Sequence, residues 1–289
     1  MLKTGKLLRL RRLSPAGDDR YLLVPLDHSV SDGPIVPADK WDDLLRALVT
    51  GGADGIIVHK GRAGAFTPDI LGSCALVVHL SASTARAGDV HAKVLVADVE
   101  EALRLGADAV SVHVNIGSDT EAQQLADLGA VARSCDAWGM PLIAMVYPRG
   151  PRIEDPRDPD LLAHLTNVAA DLGADMVKTS VALPLDRMAE VVANSPIPVL
   201  AAGGPPDDSD LVEYATAVMA TGCRGLAIGR RIFSSPSPGP LVSRLAGVVH
   251  GGDGTLGDMG MTADTAGTTS TTSPTSQTPN YSTIVAGVA

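Results

Sequence analysis

The chain has 289 residues, of which 45% are hydrophobic but only 3% aromatic, and a formal net charge of -10. That acidity argues against a general nucleic-acid surface, which needs a basic face to displace counterions from phosphates, and no apolar run approaches the roughly 18 residues of a membrane span. A core built from Ala, Val, Leu and Ile suits a parallel sheet buried on both faces.

The opening MLKTGKLLRLRRL predicts a short amphipathic helix on a cytoplasmic protein, with a membrane-surface anchor as the other reading. Strands follow at 21–26, 55–59, 75–80, 109–114, 142–146, 176–180, 197–202 and 225–229. Helical periodicity separates them at 40–50, 99–105, 120–138, 159–172, 184–194 and 208–221, with a closing helix at 240–249. The segment KWDDLLRALVT shows the pattern, with Trp41, Leu44, Leu45 and Leu48 on one helix face.

An internal echo supports the alternation. Gly-Ala-Asp recurs at 52–54, 106–108 and 173–175, and Gly-Cys-Arg stands at 222–224 in the same setting, after a helix and before an apolar strand. The glycine suits the left-handed residue that ends a helix, and the short polar residue suits the turn into the strand. Eight strands alternating with helices over about 250 residues predict an α/β fold, a (β/α)8 TIM barrel. An open doubly wound sheet would more often carry a GxGxxG loop after its first strand, which here ends Pro25-Leu-Asp-His-Ser29. From 251 to 289 the chain is dominated by Gly, Ser, Thr and Asp and is predicted to be a disordered tail. The expected domains are thus a barrel over 1–250 and a low-complexity tail over 251–289.

In a barrel, chemistry sits at the C-terminal ends of the strands. Those ends offer Asp27 and His28, His59 and Lys60, His79 and Ser81, His113 and Asn115, Tyr147 and Arg149, Lys178 and Thr179, Gly203 and Gly204, and Gly229 and Arg230. Six of the 23 basic residues are lysines, and Lys60, Lys93 and Lys178 are the ones near strands. Lys178 ends an apolar strand, where a cation is costly to bury. It reads either as an amine nucleophile, which needs a pKa depressed to about 7 to 8, or as a lysine that reaches the rim or pairs with Asp27. Tyr147, on the neighbouring strand, can carry a proton or donate one hydrogen bond. The glycines after strands 7 and 8 suit a phosphate site, to which Arg230 or Arg231 adds charge. The four strand-end histidines raise a zinc reading; with no HxH or HExxH spacing, hydrogen-bonding imidazoles are preferred. Cys74, Cys135 and Cys223 lack the spacing of a disulfide framework or a zinc site.

Taken together, VPLDHSVSDGP at 24–34, HLSAST at 79–84, YPRG at 147–150, GADMVKTS at 173–180, AGGP at 202–205 and IGRRIF at 228–233 resemble the class I aldolases of the DeoC/LacD-like family. The resemblance covers roughly 3–250, on the branch of archaeal-type fructose-bisphosphate aldolases and 2-amino-3,7-dideoxy-D-threo-hept-6-ulosonate synthases. It implies a Schiff base on Lys178, acid/base work by Tyr147 and a strand-1 carboxylate in Asp27. It also implies phosphate binding by Gly203, Gly204, Gly229 and Arg230; His28 and Arg149, from the ends of strands 1 and 5, are the further candidates for substrate binding. No metal or other cofactor is implied, and the assembly would be a homo-oligomer of the ring or decamer kind.

Ser29, Pro206 and Arg231 depart from the branch, which often has Gly, Lys and Asn there. The Arg- and Ala-rich, Lys-poor composition suggests a GC-rich bacterial source, where such paralogues resemble the aldolases of aminohydroxybenzoate pathways. The expected reaction therefore joins dihydroxyacetone phosphate to L-aspartate 4-semialdehyde, giving 2-amino-4,5-dihydroxy-6-oxo-7-(phosphooxy)heptanoate. The alternatives are the two other activities of the branch and, in another class, a non-catalytic sugar-phosphate-binding barrel.

Overall fold

A computed structural model describes residues 4–65, 68–204 and 209–251. The tail from 252 onward and Pro206 lie outside the described residues, as does the predicted helix start at 208.

Eight parallel strands close into a barrel: β1 (Tyr21–Pro25), β2 (Gly55–Val58), β3 (Ala75–His79), β4 (Ala109–Ile116), β5 (Leu142–Pro148), β6 (Met176–Thr179), β7 (Val199–Ala202) and β8 (Gly225–Ala227). Closure is direct. β1 pairs with β2 through Val24 and Ile56 and with β8 through Leu22 and Leu226, leaving no sheet edge. Two cores follow from the alternation of side chains. Inward residues such as Leu23, Ile57, Val77, Ile143, Met176 and Leu200 fill the barrel. Outward ones, including Leu22, Ile56, Val78, Val110 and Val177, pack under the helices. Each large aliphatic side chain buried this way contributes about 1.5–3 kcal/mol.

The recurring Gly-Ala-Asp has a function beyond its turn. Gly52, Gly106, Gly173 and Gly222 all adopt positive φ, between 81° and 95°, and close the preceding helices. The aspartates then reach across to the preceding strand. Asp54 accepts the N–H of Leu22 at 2.6 Å, Asp108 that of Leu76 at 3.1 Å and Asp175 that of Leu142 at 2.8 Å. The turns into β2, β4 and β6 thereby fix the starts of β1, β3 and β5.

The amino-terminal helix, Thr4–Leu13, lies against this floor, with Leu13 fully buried beneath the interior core. Its Lys6 donates to both oxygens of Asp175, at 3.0 and 2.9 Å, and Arg12 meets Asp108 at 2.8 Å. The predicted helix is present, and because its basic residues pair with barrel carboxylates it acts as a barrel plug. No helix among the described residues is long and apolar enough to cross a membrane.

The predicted helices are present with ends shifted by a few residues, and 184–194 divides into a 3-10 turn, Leu185–Arg187, and the helix Met188–Ala193. Three short helices, Lys60–Ala63, Pro68–Leu71 and Arg230–Phe233, were not predicted, nor was the two-stranded hairpin of Ser81–Ala82 with Val94–Leu95. Segments of two to four residues are too short for periodicity to mark.

Candidate active site

At the C-terminal mouth of the barrel, Lys178 shares the interior face of β6 with Met176, which belongs to the interior core. It is only 7% exposed. Its register partner on β5 is Met145, and Tyr147 lies two residues further along the same inward face of that strand. Thr179 turns the other way: its register partner, Ala201, belongs to the layer beneath the helices. Thr179 therefore leaves the set of mouth residues.

Asp27 opens a short 3-10 turn, Asp27–Ser29, just past β1. Burial works against its charge, but His79, His28, Lys178 and His59 outweigh that effect and lower its pKa to about 2. Asp27 Oδ2 lies 3.7 Å from His79 Nε2, and Oδ1 lies 3.4 Å from His28 Nδ1. Among the described residues no direct ion pair joins Asp27 to Lys178, so the pairing alternative drawn from the sequence does not form. Asp27 Oδ1 and His28 Nδ1 are both buried without a hydrogen-bond partner in the protein. Such atoms call for a polar partner, which a bound ligand or water supplies.

Burial lowers the pKa of His79 to about 4, against the pull of Asp27, and also lowers those of His28 and His59. Near neutral pH these rings are uncharged donors and acceptors. His59 donates from Nδ1 to the carbonyl of His79 at 3.2 Å. His79 Nδ1 lies 2.8 Å from the Ser111 hydroxyl, and its Nε2 faces Asp27. Among the described residues no group of three or more His, Cys, Asp or Glu side chains could hold a metal ion.

Beside Tyr147 stand His113, with ring centroids 5.1 Å apart, and the guanidinium of Arg149, 4.4 Å from the tyrosine ring centre. His113 donates from Nε2 to Asn115 Oδ1 at 2.8 Å, and burial, Arg149 and Lys93 hold its pKa well below the usual value. Lys60, by contrast, begins a short helix and pairs with Glu101 at 3.1 Å on the exterior, away from the barrel interior.

Across the mouth, Gly203 and Gly204 follow β7, and Gly229 follows β8. A side chain at Gly229 would sit 2.5 Å from the carbonyl oxygen of Pro25 and 2.6 Å from the ring of His28, so only glycine lets the last loop approach the first. Arg230 is exposed. It is Arg231 that joins the two loops, donating to the carbonyl of Gly203 at 3.3 Å and that of Ser209 at 2.6 Å.

The predicted residues thus gather at one end of the barrel, apart from Thr179 and Lys60. Sequence reasoning counted Lys93 among the lysines near strands without giving it a role, and it passed over Ser111. Lysine scarcity was the one signal for the first, and the inward alternation of β4 was the signal for the second.

Comparison with known proteins identifies the family. The sequence model of the DeoC/LacD family aldolases matches residues 21–235. The chain is 49% identical over 248 residues to a 2-amino-4,5-dihydroxy-6-oxo-7-(phosphonooxy)heptanoate synthase of Streptomyces griseus, covering 85% of this chain and 90% of that one. It is 36% identical over 251 residues to a 2-amino-3,7-dideoxy-D-threo-hept-6-ulosonate synthase of Halobacterium salinarum, covering 86% and 93%. Among solved structures, a Schiff-base-forming fructose-1,6-bisphosphate aldolase superposes with a TM-score of 0.73 at 26% identity, over 85% of this chain and all of that one. The chain therefore belongs to the DeoC/LacD family of aldolases and is an enzyme of their class I, Schiff-base type.

Proposed function

We propose that this aldolase joins dihydroxyacetone phosphate to L-aspartate 4-semialdehyde through an imine on Lys178. The product of the Streptomyces griseus relative, read as a carbon chain, divides into these two halves. Carbons 5 to 7 carry the hydroxyl, ketone and phosphate of the donor, and carbons 1 to 4 are the amino-acid aldehyde. The observation that carries the assignment to Lys178 is a buried amine in the barrel mouth, facing a carboxylate with one unmatched oxygen.

In this reading the neutral amine adds to the donor ketone, and the carbinolamine loses water to give an iminium, which is an electron sink. Tyr147 gives its proton to the departing carbinolamine hydroxyl and, as the phenolate so formed, takes the proton from the adjacent carbon, leaving an enamine. The enamine carbon bonds to the aldehyde carbon, the resulting alkoxide takes up a proton, and water releases the product ketone and the free amine. Asp27 holds a donor hydroxyl and offsets the iminium charge, with His28 as its neighbour. Gly203, Gly204, Gly229 and Arg230 hold the donor phosphate, so that remote binding orients the reacting carbons. Arg149 contacts the acceptor. Small phosphorylated molecules are thus the partners, and a homo-oligomer is the expected assembly.

The test is reduction with borohydride in the presence of dihydroxyacetone phosphate, followed by peptide mass spectrometry, alongside turnover with both substrates. An adduct on Lys178 and a seven-carbon phosphate product are expected. An adduct on another lysine, or fructose 1,6-bisphosphate cleavage without the seven-carbon product, overturns the respective half of the reading.

A further inference from the structure

Two cations stand at the mouth on the side away from the phosphate loops. Arg149 folds over the Tyr147 ring, and Lys93 projects from the segment that links β3 to the helix Val99–Arg104. Several cationic groups elsewhere meet a carboxylate, among them Lys6, Arg12, Lys60, Arg152 and Arg187. Among the described residues, no carboxylate forms an ion pair with Lys93 or Arg149; the amine of Lys93 hydrogen-bonds the Ser83 hydroxyl. Burial disfavours its charge and Arg149 adds to that, while Asp27 and Asp32 act in the opposite sense. Two like charges held near each other in an acidic chain leave a place for an anion.

Lys93 is also held in position. Two residues earlier, the carbonyl of His91 accepts from Asn115 Nδ2 at 2.8 Å and from Gln124 Nε2 at 2.9 Å. Both side chains are almost fully buried. Gln124 Oε1 in turn accepts the N–H of Asn115 at 2.8 Å, and the same Asn115 receives the proton of His113. Beyond Lys93, Val94 and Leu95 pair with Ala82 and Ser81, and the Ser81 hydroxyl accepts the N–H of His113 at 3.0 Å. A buried polar network so fully paired fixes the backbone on both sides of Lys93 relative to β4.

We propose that Lys93, together with Arg149, forms the subsite for the carboxylate of the acceptor aldehyde and selects anionic acceptors over neutral ones. The inference deepens the proposed reaction and rests on it. With the donor phosphate at β7 and β8 and the imine on β6, an acceptor extending over Tyr147 brings its far end to these cations, where a bidentate guanidinium and an ammonium suit a carboxylate.

The experiment compares acceptors that differ in charge, using wild type, Lys93→Met and Lys93→Arg in the full chain. L-aspartate 4-semialdehyde and succinate semialdehyde are the anionic acceptors, and butanal is the neutral one. For Lys93→Met, kcat/KM with the anionic pair is expected to fall by about 10- to 100-fold, the worth of one charge-assisted hydrogen bond. Butanal changes little, borohydride trapping of dihydroxyacetone phosphate persists, and Lys93→Arg recovers most of the loss. An equal fall for charged and neutral acceptors, or no fall for either, overturns the proposal. If wild type rejects L-aspartate 4-semialdehyde but accepts glyceraldehyde 3-phosphate, the reaction reading fails. The charged-to-neutral ratio, taken with glyceraldehyde 3-phosphate against glyceraldehyde, then still decides the case of Lys93.

Discussion

His250 gives the sharpest stability prediction. It ends the helix Pro238–His250, with Nδ1 2.9 Å from Asp18 Oδ2 and Nε2 3.0 Å from Asp54 Oδ2. Both nitrogens can donate only when the ring is protonated. The hydrogen bond to Asp54 raises its pKa most, burial opposes, and Asp18 adds to the rise, which takes it to about 9. Because the folded value lies above the unfolded one, the contribution is fully present below about pH 6.5 and is lost as pH rises through about 9. Conversion at about 1.4 kcal/mol per tenfold change gives about 3 kcal/mol; solvent screening of a partly exposed ring reduces this to about 1–2 kcal/mol.

Urea unfolding of wild type and His250→Gln at about pH 6 and about pH 9.5 reads it out. With a slope of about 3 kcal/mol per molar urea, the wild-type midpoint should fall by roughly 0.5 M more than that of the variant. Burial pushes Cys74 and Cys135 up to about 12 and Cys223 to about 11, so those thiols also favour the unfolded chain at alkaline pH. The difference between the two proteins is therefore the quantity to compare. Equal slopes in wild type and variant would refute the reasoning.

Lys178→Met should abolish the borohydride-dependent mass increase and lower kcat/KM by at least about 1,000-fold while leaving the circular dichroism unchanged. A variant that still gains the adduct mass rules Lys178 out. For Tyr147→Phe, loss of a general acid/base predicts about 100- to 10,000-fold slower proton exchange in dihydroxyacetone phosphate, followed by NMR, with adduct formation kept. Lys6→Met strands the charge of Asp175 beneath the barrel and should cost about 3–5 kcal/mol, measured by denaturant midpoint. A loss under about 1 kcal/mol counts against the plug as a structural element. Gly229→Ala forces a methyl group against Pro25 and His28 and should weaken donor binding and lower stability by about 1–3 kcal/mol, read by calorimetric titration and thermal melting.

Periodicity and turn chemistry are local, and both were legible in the sequence. The alternation of strands with helices, the glycine that ends four of the helices and the polar ends of the strands together specified a barrel and its working face. Lys178 and Tyr147 could be placed on neighbouring strands because strand order in such a barrel follows chain order. What the sequence could not supply was the partner of each polar group. Asp54, Asp108 and Asp175 read as turn residues, yet each holds the N–H of the strand before it and meets His250, Arg12 or Lys6 across as many as 196 residues.

The same limit governs the mouth. Asp27 and Lys178 were both named from the sequence, but whether they pair directly depends on distances between β1 and β6, and the barrel sets Asp27 beside the imidazoles of His28 and His79 instead. Lys93 sits in a segment with no period, held by Asn115 and Gln124 from other elements. Residue type and spacing determined which chemistry this chain could carry. Barrel closure, which brings groups far apart in sequence to one rim, decided which of them face one another.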